Sequence, residues 1–188
     1  MKWLIAIITT VILGGCVSSS SVAVPSEISS SSSNKTVESL EPQTLKVFSV
    51  KELQRQDKLK SNKKKITQAV KKLLNRVGKT RYVFSGSTPY GWDCSGMVMW
   101  AYGQMGKELP HSATEQSYAG RRVAQKDRKV GDIVIFGYRG YKSFYHSAIY
   151  IGKGKIVNAN RGFGGTHIQH ITEFGDNRIV YVRVLETP

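Results

Sequence analysis

The feature that most constrains this chain is a change of hydrophobic period near Gly106. Before it, Ile66, Val70, Leu73, Leu74 and Val77, and then Met97, Val98, Ala101, Tyr102 and Met105, recur at spacings of three and four. That spacing marks helices with one buried face. The first set predicts an amphipathic helix over 64–77. The second predicts a helix that begins at Cys94 and ends near Gly106. Beyond it, "GDIVIF" (131–136), "FYHSAIYIG" (144–152), "KIVNA" (155–159) and "IVYVRVL" (179–185) are short and rich in β-branched and aromatic residues, so they predict strands. Helices followed by a run of strands imply an α+β domain, with N-terminal helices packed on an antiparallel β-sheet. The Gly-rich "GFGG" (162–165) lacks the context of a phosphate loop and reads as a turn.

The N-terminal quarter has a different character. "MKWLIAIITTVILGGC" carries one lysine, an uncharged apolar run too short to span a bilayer comfortably, and two glycines before Cys16. This is the layout of a secretory signal peptide over 1–15. The Leu13-Gly14-Gly15-Cys16 ending is similar to a bacterial lipobox, in which the cysteine is lipidated and becomes the new N-terminus. A plain signal peptide or a short anchor, with Cys16 incidental, is the alternative. Residues 16–45 follow as a Ser-rich stretch with few large apolar groups, which cannot offset its ordering entropy and is expected to act as a flexible tether. These features predict a lipoprotein held to a membrane on its periplasmic face. Val17 after the cysteine, where no aspartate stands, favours the outer membrane if the host has two.

Net charge narrows the partners. Lys and Arg number 28 against 13 Asp and Glu, a formal +15, which favours anionic surfaces. Much of the excess lies in 46–80, where 46–75 reads as a basic helical lead-in to a domain over 76–188. Those charges are either a solvated helix face or a contact for anionic wall polymer or lipid. Nucleic acid is not expected, because no motif for it appears and an exported lipoprotein rarely meets it.

Cys94 in "YGWDCSGMVMW" (90–100) then needs an explanation. The chain has two cysteines, and a disulfide between them is the ordinary expectation for an exported protein. Lipidation of Cys16 removes that option and leaves a free thiol at a helix start, where unpaired N–H groups and the helix dipole favour a thiolate. A cysteine nucleophile also needs a base and a group to orient the base. Of His111, His146, His167 and His170, His146 lies within a predicted strand, and Asn158 lies in the next. Side chains alternate across a strand, so the loop between the two strands decides whether they share a face. A two-residue loop puts them on opposite faces; a three-residue loop, Lys153-Gly154-Lys155, puts them on one. No metal-ligand spacing is present.

Together these pieces resemble the NlpC family of bacterial cell-wall cysteine peptidases, on the papain-like fold. The matching segments are Tyr82 in "RYVFSGS", "GWDCSGMV", "LPHSATEQ" (109–116), "VGDIVIF" and "HSAIYIGKGKIVNAN" (146–160). The resemblance implies that Cys94 is the nucleophile, His146 the base and Asn158 the orienting residue, a position where histidine is commoner. It places Tyr82, Asp93 and Ser95 around the substrate and the oxyanion, and gives the Cys94 N–H to the oxyanion site. The implied substrate is a peptidoglycan stem peptide or cross-link, with no metal or organic cofactor. Ser85 stands where glycine is usual, His111 where arginine is usual, and Ser147-Ala148 where Val-Gly is usual. An N-acetylmuramoyl-L-alanine amidase and a non-catalytic wall-binding lipoprotein are the rival readings on the same fold.

Cys16→Ser should release the protein from the membrane fraction and abolish metabolic lipid labelling. Undiminished labelling in the variant would refute lipidation at this residue.

Overall fold

The computed structural model describes residues 49–175 and 177–188. The expected leader, Cys16 and the Ser-rich segment lie outside the described residues. Helix α1 (Val50–Leu74) is followed by a short hairpin, β1 (Ser87–Thr88) and β2 (Gly91–Trp92), then α2 (Cys94–Gly103) and a one-turn α3 (Ala113–Gln116). Six strands come next: β3 (Arg121–Val123), β4 (Ile133–Gly137), β5 (His146–Gly152), β6 (Lys155–Asn160), β7 (Gly165–His170) and β8 (Arg178–Arg183). They form one sheet in the order β3-β8-β4-β5-β6-β7, and every neighbouring pair is antiparallel. The α+β architecture expected from the change of period is the architecture found. Among the described residues no helix is long and apolar enough to cross a membrane.

Helix α1 starts well before the amphipathic stretch at 64–77 and lies within the basic helical lead-in read over 46–75. Its first half is rich in Lys, Gln, Arg and Glu, good helix formers, and the few apolar residues among them, such as the exposed Val50 and Leu53, make no buried stripe. Ser49 caps it by accepting the Glu52 N–H at 3.3 Å. Its C-terminal half buries Ile66, Ala69, Val70 and Leu73 in the same core as Met97, Val98, Ala101 and Tyr102 of α2. The helix is thus part of the domain's core. Gly131, at φ +95°, lets the turn before β4 approach it, because an added Cβ would lie 2.5 Å from Ile66 Cγ2.

The sheet is apolar on both faces. Ile133 and Ile135 of β4 join the helices, with Ile149, Val157 and Val182. Val134 and Phe136 point the other way, into a smaller cluster with Ala148, Tyr150, Ile156, Ile171 and Tyr181. This second layer is closed by a short 3-10 helix, Ile171–Phe174, rather than by a long helix. At the start of β4, Arg183 makes a bidentate buried ion pair with Asp132, at 2.9 and 2.8 Å.

The four expected strands are present, with ends shifted by one or two residues. Strands β3 and β7 were not expected. "GTHIQH" in β7 alternates weakly, and Ile168 is exposed while Gln169 is buried. Its pairing partner β6, not its own hydrophobicity, makes it a strand. The turn expected at "GFGG" is present, with Gly164 at φ +73°.

Lys63, Lys64 and Lys65 are all exposed on α1. Changing the three to Gln should therefore leave the melting temperature intact, within the ±0.5 kcal/mol or so usual for surface positions. The same change should weaken co-sedimentation with isolated sacculi, and added salt should mimic it. Salt-insensitive binding that survives the triple change would make this charge a solvated face only.

Candidate active site

The site begins with Asp93. Its carboxylate caps α2: Oδ1 accepts the Gly96 N–H at 2.8 Å and the Ser95 hydroxyl at 3.1 Å. The same oxygen lies 2.9 Å from His111 Nε2, and Oδ2 accepts the Ser85 N–H at 3.0 Å. Ser85 has φ +56°, which explains why glycine is the usual residue there. The hydrogen bond to Asp93 helps hold a conformation that side chains disfavour. Next to it, Gly86 cannot carry a side chain, since a Cβ would sit 2.5 Å from the Gly91 carbonyl oxygen.

Cys94, the first residue of α2, is half-buried and a free thiol. Backbone N–H groups of Ser147, Ser95 and Cys94 itself act on the sulfur. Ser147 follows His146 in β5, so the helix start and the strand start meet at this point. The thiolate expected from the helix dipole needs correction. Burial is the largest influence and pushes the Cys94 thiol up, and the Asp93 carboxylate adds to it, against the downward pull of the backbone amides.

His146 opens β5 opposite Phe136, 7% exposed. Its ring stacks on Phe174 with centroids 5.3 Å apart, and Nε2 is 3.0 Å from Asn158 Oδ1. Burial lowers its pKa to about 4, against the raising effects of the Asn158 hydrogen bond and Asp93. The imidazole is therefore neutral at pH 7, the form able to accept a proton. The two residues share a face, but not by the three-residue loop expected from the sequence. The turn is two residues, Lys153 and Gly154, at φ +51° and +72°. The register shifts between Tyr150 and Gly152, and this bulge supplies the extra residue that restores the parity.

Tyr82 pairs with Trp92 in an isolated bridge and lines the same cleft as Cys94. Burial raises its phenol, and Cys94 and Asp93 add to that. The cleft, about 350 Å³, is also lined by Phe84, Ser85, His111, Phe144 and Tyr145. Asp93 and Ser95 border it, but their side chains are engaged with each other and with the cap. The Asp93 carboxylate can only accept and cannot donate to an oxyanion, and the Ser95 hydroxyl proton is given to Asp93 Oδ1. The His167 side chain bonds the Phe163 carbonyl and the His170 side chain caps the 3-10 helix.

Three contributors escaped sequence reasoning. Gln116 donates to the carbonyls of Ser95 and Pro110, at 2.9 and 2.8 Å, tying α3 to the cysteine turn. Phe174 covers the imidazole, and Gln169 bonds Asn158. Gln116 ends the "LPHSATEQ" segment, so the sequence held a signal for it. The other two lie in segments without a readable period.

A helix-borne cysteine beside a strand-borne His–Asn pair, on helices packed against an antiparallel sheet, is the papain-like class of α+β domain. Residues 78–182 match the NlpC/P60 family, and the chain belongs to that family. A probable endopeptidase of Mycobacterium tuberculosis is 40% identical over 94 residues, 50% of this chain and 23% of that one. The bifunctional muramidase/DL-endopeptidase CwlT of Bacillus subtilis is 42% identical over 82 residues, 42% of this chain and 25% of its own. The chain thus spans about a quarter of the length of these curated relatives. The NlpC/p60 domain of the peptidoglycan hydrolase SagA superposes with a TM-score of 0.55 at 25% identity, covering 63% of this chain and 98% of that domain.

Because His146 binds its proton more weakly folded than unfolded, its contribution to stability is complete above the unfolded value of 6.5. It should be lost as pH falls from 6.5 towards about 4, on the order of 3 kcal/mol in all. Urea unfolding from pH 7.5 to 4 should show that slope, and His146→Phe should remove it. An unchanged slope in the variant would place the imidazole in a solvated setting.

Proposed function

We propose that this protein is a peptidoglycan endopeptidase, anchored through lipid on Cys16 to a membrane on its periplasmic face, the outer membrane where the host has two. It acts on an amide of the stem peptide or cross-link. The observation that carries the chemistry is the neutral His146, held at 3.0 Å by Asn158, one residue before the Ser147 amide that contacts the Cys94 sulfur. The relative described as a DL-endopeptidase supports a bond of the D-γ-glutamyl-diaminopimelate kind. The exposed basic face of α1 suits attraction to anionic wall polymer or lipid.

With the thiol pushed up and the imidazole down, the resting pair is thiol and neutral base. As the sulfur attacks the carbonyl carbon, its proton passes to His146, so charge develops during the step rather than before it. The Cys94 N–H, at the start of α2, serves the oxyanion. His146 then protonates the departing amine, leaving a thioester. It next takes a proton from water, whose oxygen attacks the thioester carbon, and returns that proton to the departing sulfur, which releases the carboxylic acid and regenerates the thiol and the neutral imidazole.

Cys94→Ala should abolish muropeptide release while leaving the circular dichroism spectrum unchanged. His146→Ala should do nearly the same, and the double variant should be no worse than either, because the pair works as a unit. Mass spectrometry of the products identifies the bond: cleavage between muramic acid and L-alanine would make the protein an amidase. Undiminished digestion by Cys94→Ala would overturn the catalytic reading.

A further inference from the structure

An asparagine that orients a catalytic histidine has a weakness that a carboxylate lacks. Its amide can turn over, offering either an acceptor or a donor to the imidazole. With oxygen toward the ring, Nε2 must carry the proton and Nδ1 keeps its lone pair. With nitrogen toward the ring, the tautomer reverses. What holds Asn158 in one orientation therefore decides which nitrogen of His146 is basic.

The surroundings of Asn158 supply a chain of one-way hydrogen bonds. Strand β7 pairs Asn158 with His167 and Ile156 with Gln169, so Gln169 lies diagonally across from Asn158 on the same face. Gln169 is 7% exposed. Its Oε1 accepts from Asn158 Nδ2 at 3.0 Å and from Asn160 Nδ2 at 3.1 Å, and its Nε2 donates to Glu173 Oε2 at 3.2 Å. Both ends are fixed by groups with no choice of role. The Glu173 carboxylate is ionised and can only accept; its other oxygen takes the His170 N–H. Asn160 Oδ1 is committed to the Gly162 N–H at 2.8 Å, which leaves its amino group for Gln169. The His167 carbonyl, 3.4 Å from Asn158 Nδ2, likewise can only accept.

We propose that Gln169 is a positioning residue that fixes the tautomer of His146 through Asn158, holding the proton on Nε2 and leaving Nδ1 as the base. Glu173 and Asn160 set the orientation of Gln169 in turn. This rests on the role given to His146 above, but its direct readout does not require activity.

The experiment is ¹⁵N NMR of the His146 ring nitrogens at pH 7, alongside muropeptide release. In the wild-type protein Nε2 should be the protonated nitrogen. Gln169→Leu removes the nearer acceptor and leaves Asn158 Nδ2 only the His167 carbonyl at 3.4 Å, so His146 should become a mixture of tautomers, and kcat should fall roughly tenfold with KM little changed. Gln169→Glu retains an acceptor and should keep the wild-type tautomer, which separates orientation from mere packing. Asn158→Asp in the Gln169→Leu background places an acceptor-only group directly on Nε2 and should restore a single tautomer. An unchanged tautomer in Gln169→Leu, or a mixture that Asn158→Asp does not resolve, would overturn the proposal. If Gln169→Leu does not fold, a mixed tautomer in Gln169→Glu would overturn it equally. If the tautomers respond as stated while wild-type protein releases no muropeptide, the positioning role stands and the endopeptidase reading falls.

Discussion

The Asp93 carboxylate is the interaction on which the site depends. It caps α2 through Gly96, takes the Ser95 hydroxyl, holds Ser85 in a left-handed conformation and lies against His111. One side chain thus fixes where the helix begins, and hence where the sulfur of the next residue sits. It also sets a cost, because a negative charge beside Cys94 opposes formation of the thiolate. The site's electrostatics follow from that compromise: a thiol pushed up by burial and Asp93, beside an imidazole pushed down by burial. Burial disfavours both charges, so the two groups rest as a thiol and a neutral imidazole.

The second face of the sheet does more than complete the packing. Phe136 and Phe174 enclose the imidazole, and the polar chain of Asn158, Gln169 and Asn160 runs along the same face. Placing uncharged amides there avoids burying a second carboxylate next to the histidine. The price is that amides must be told which way to face, and groups farther out do so.

The family was legible from short range. Asp-Cys-Ser-Gly at a helix start is a local signal, because the cap and the first turn are made by neighbours in sequence. The strands at 133–137, 146–152, 155–160 and 178–183 were legible for the same reason, each carrying its own hydrophobic pattern. The apolar stripe of helix α1 was legible where it touches the core, and its more polar first half was legible only as part of the basic helical lead-in over 46–75.

The sequence by itself determined the α+β class, since that rests on local hydrophobic period, and it singled out Cys94, His146 and Asn158 as candidates by residue type and position. Tertiary structure decided the rest. The shared face of His146 and Asn158 came from a bulge at Ile151 rather than from loop length, and a bulge is set by pairing, not by residue type. The cap itself is local, but the Asp93 carboxylate is also held by the Ser85 N–H and lies against His111, which arrive from elsewhere in the chain. Gln169 and Phe174 gained roles because β7 pairs with β6, though β7 has little hydrophobic pattern of its own. The ionisation states depended most of all on the fold, because burial, the largest influence on both Cys94 and His146, is a property of the packed chain.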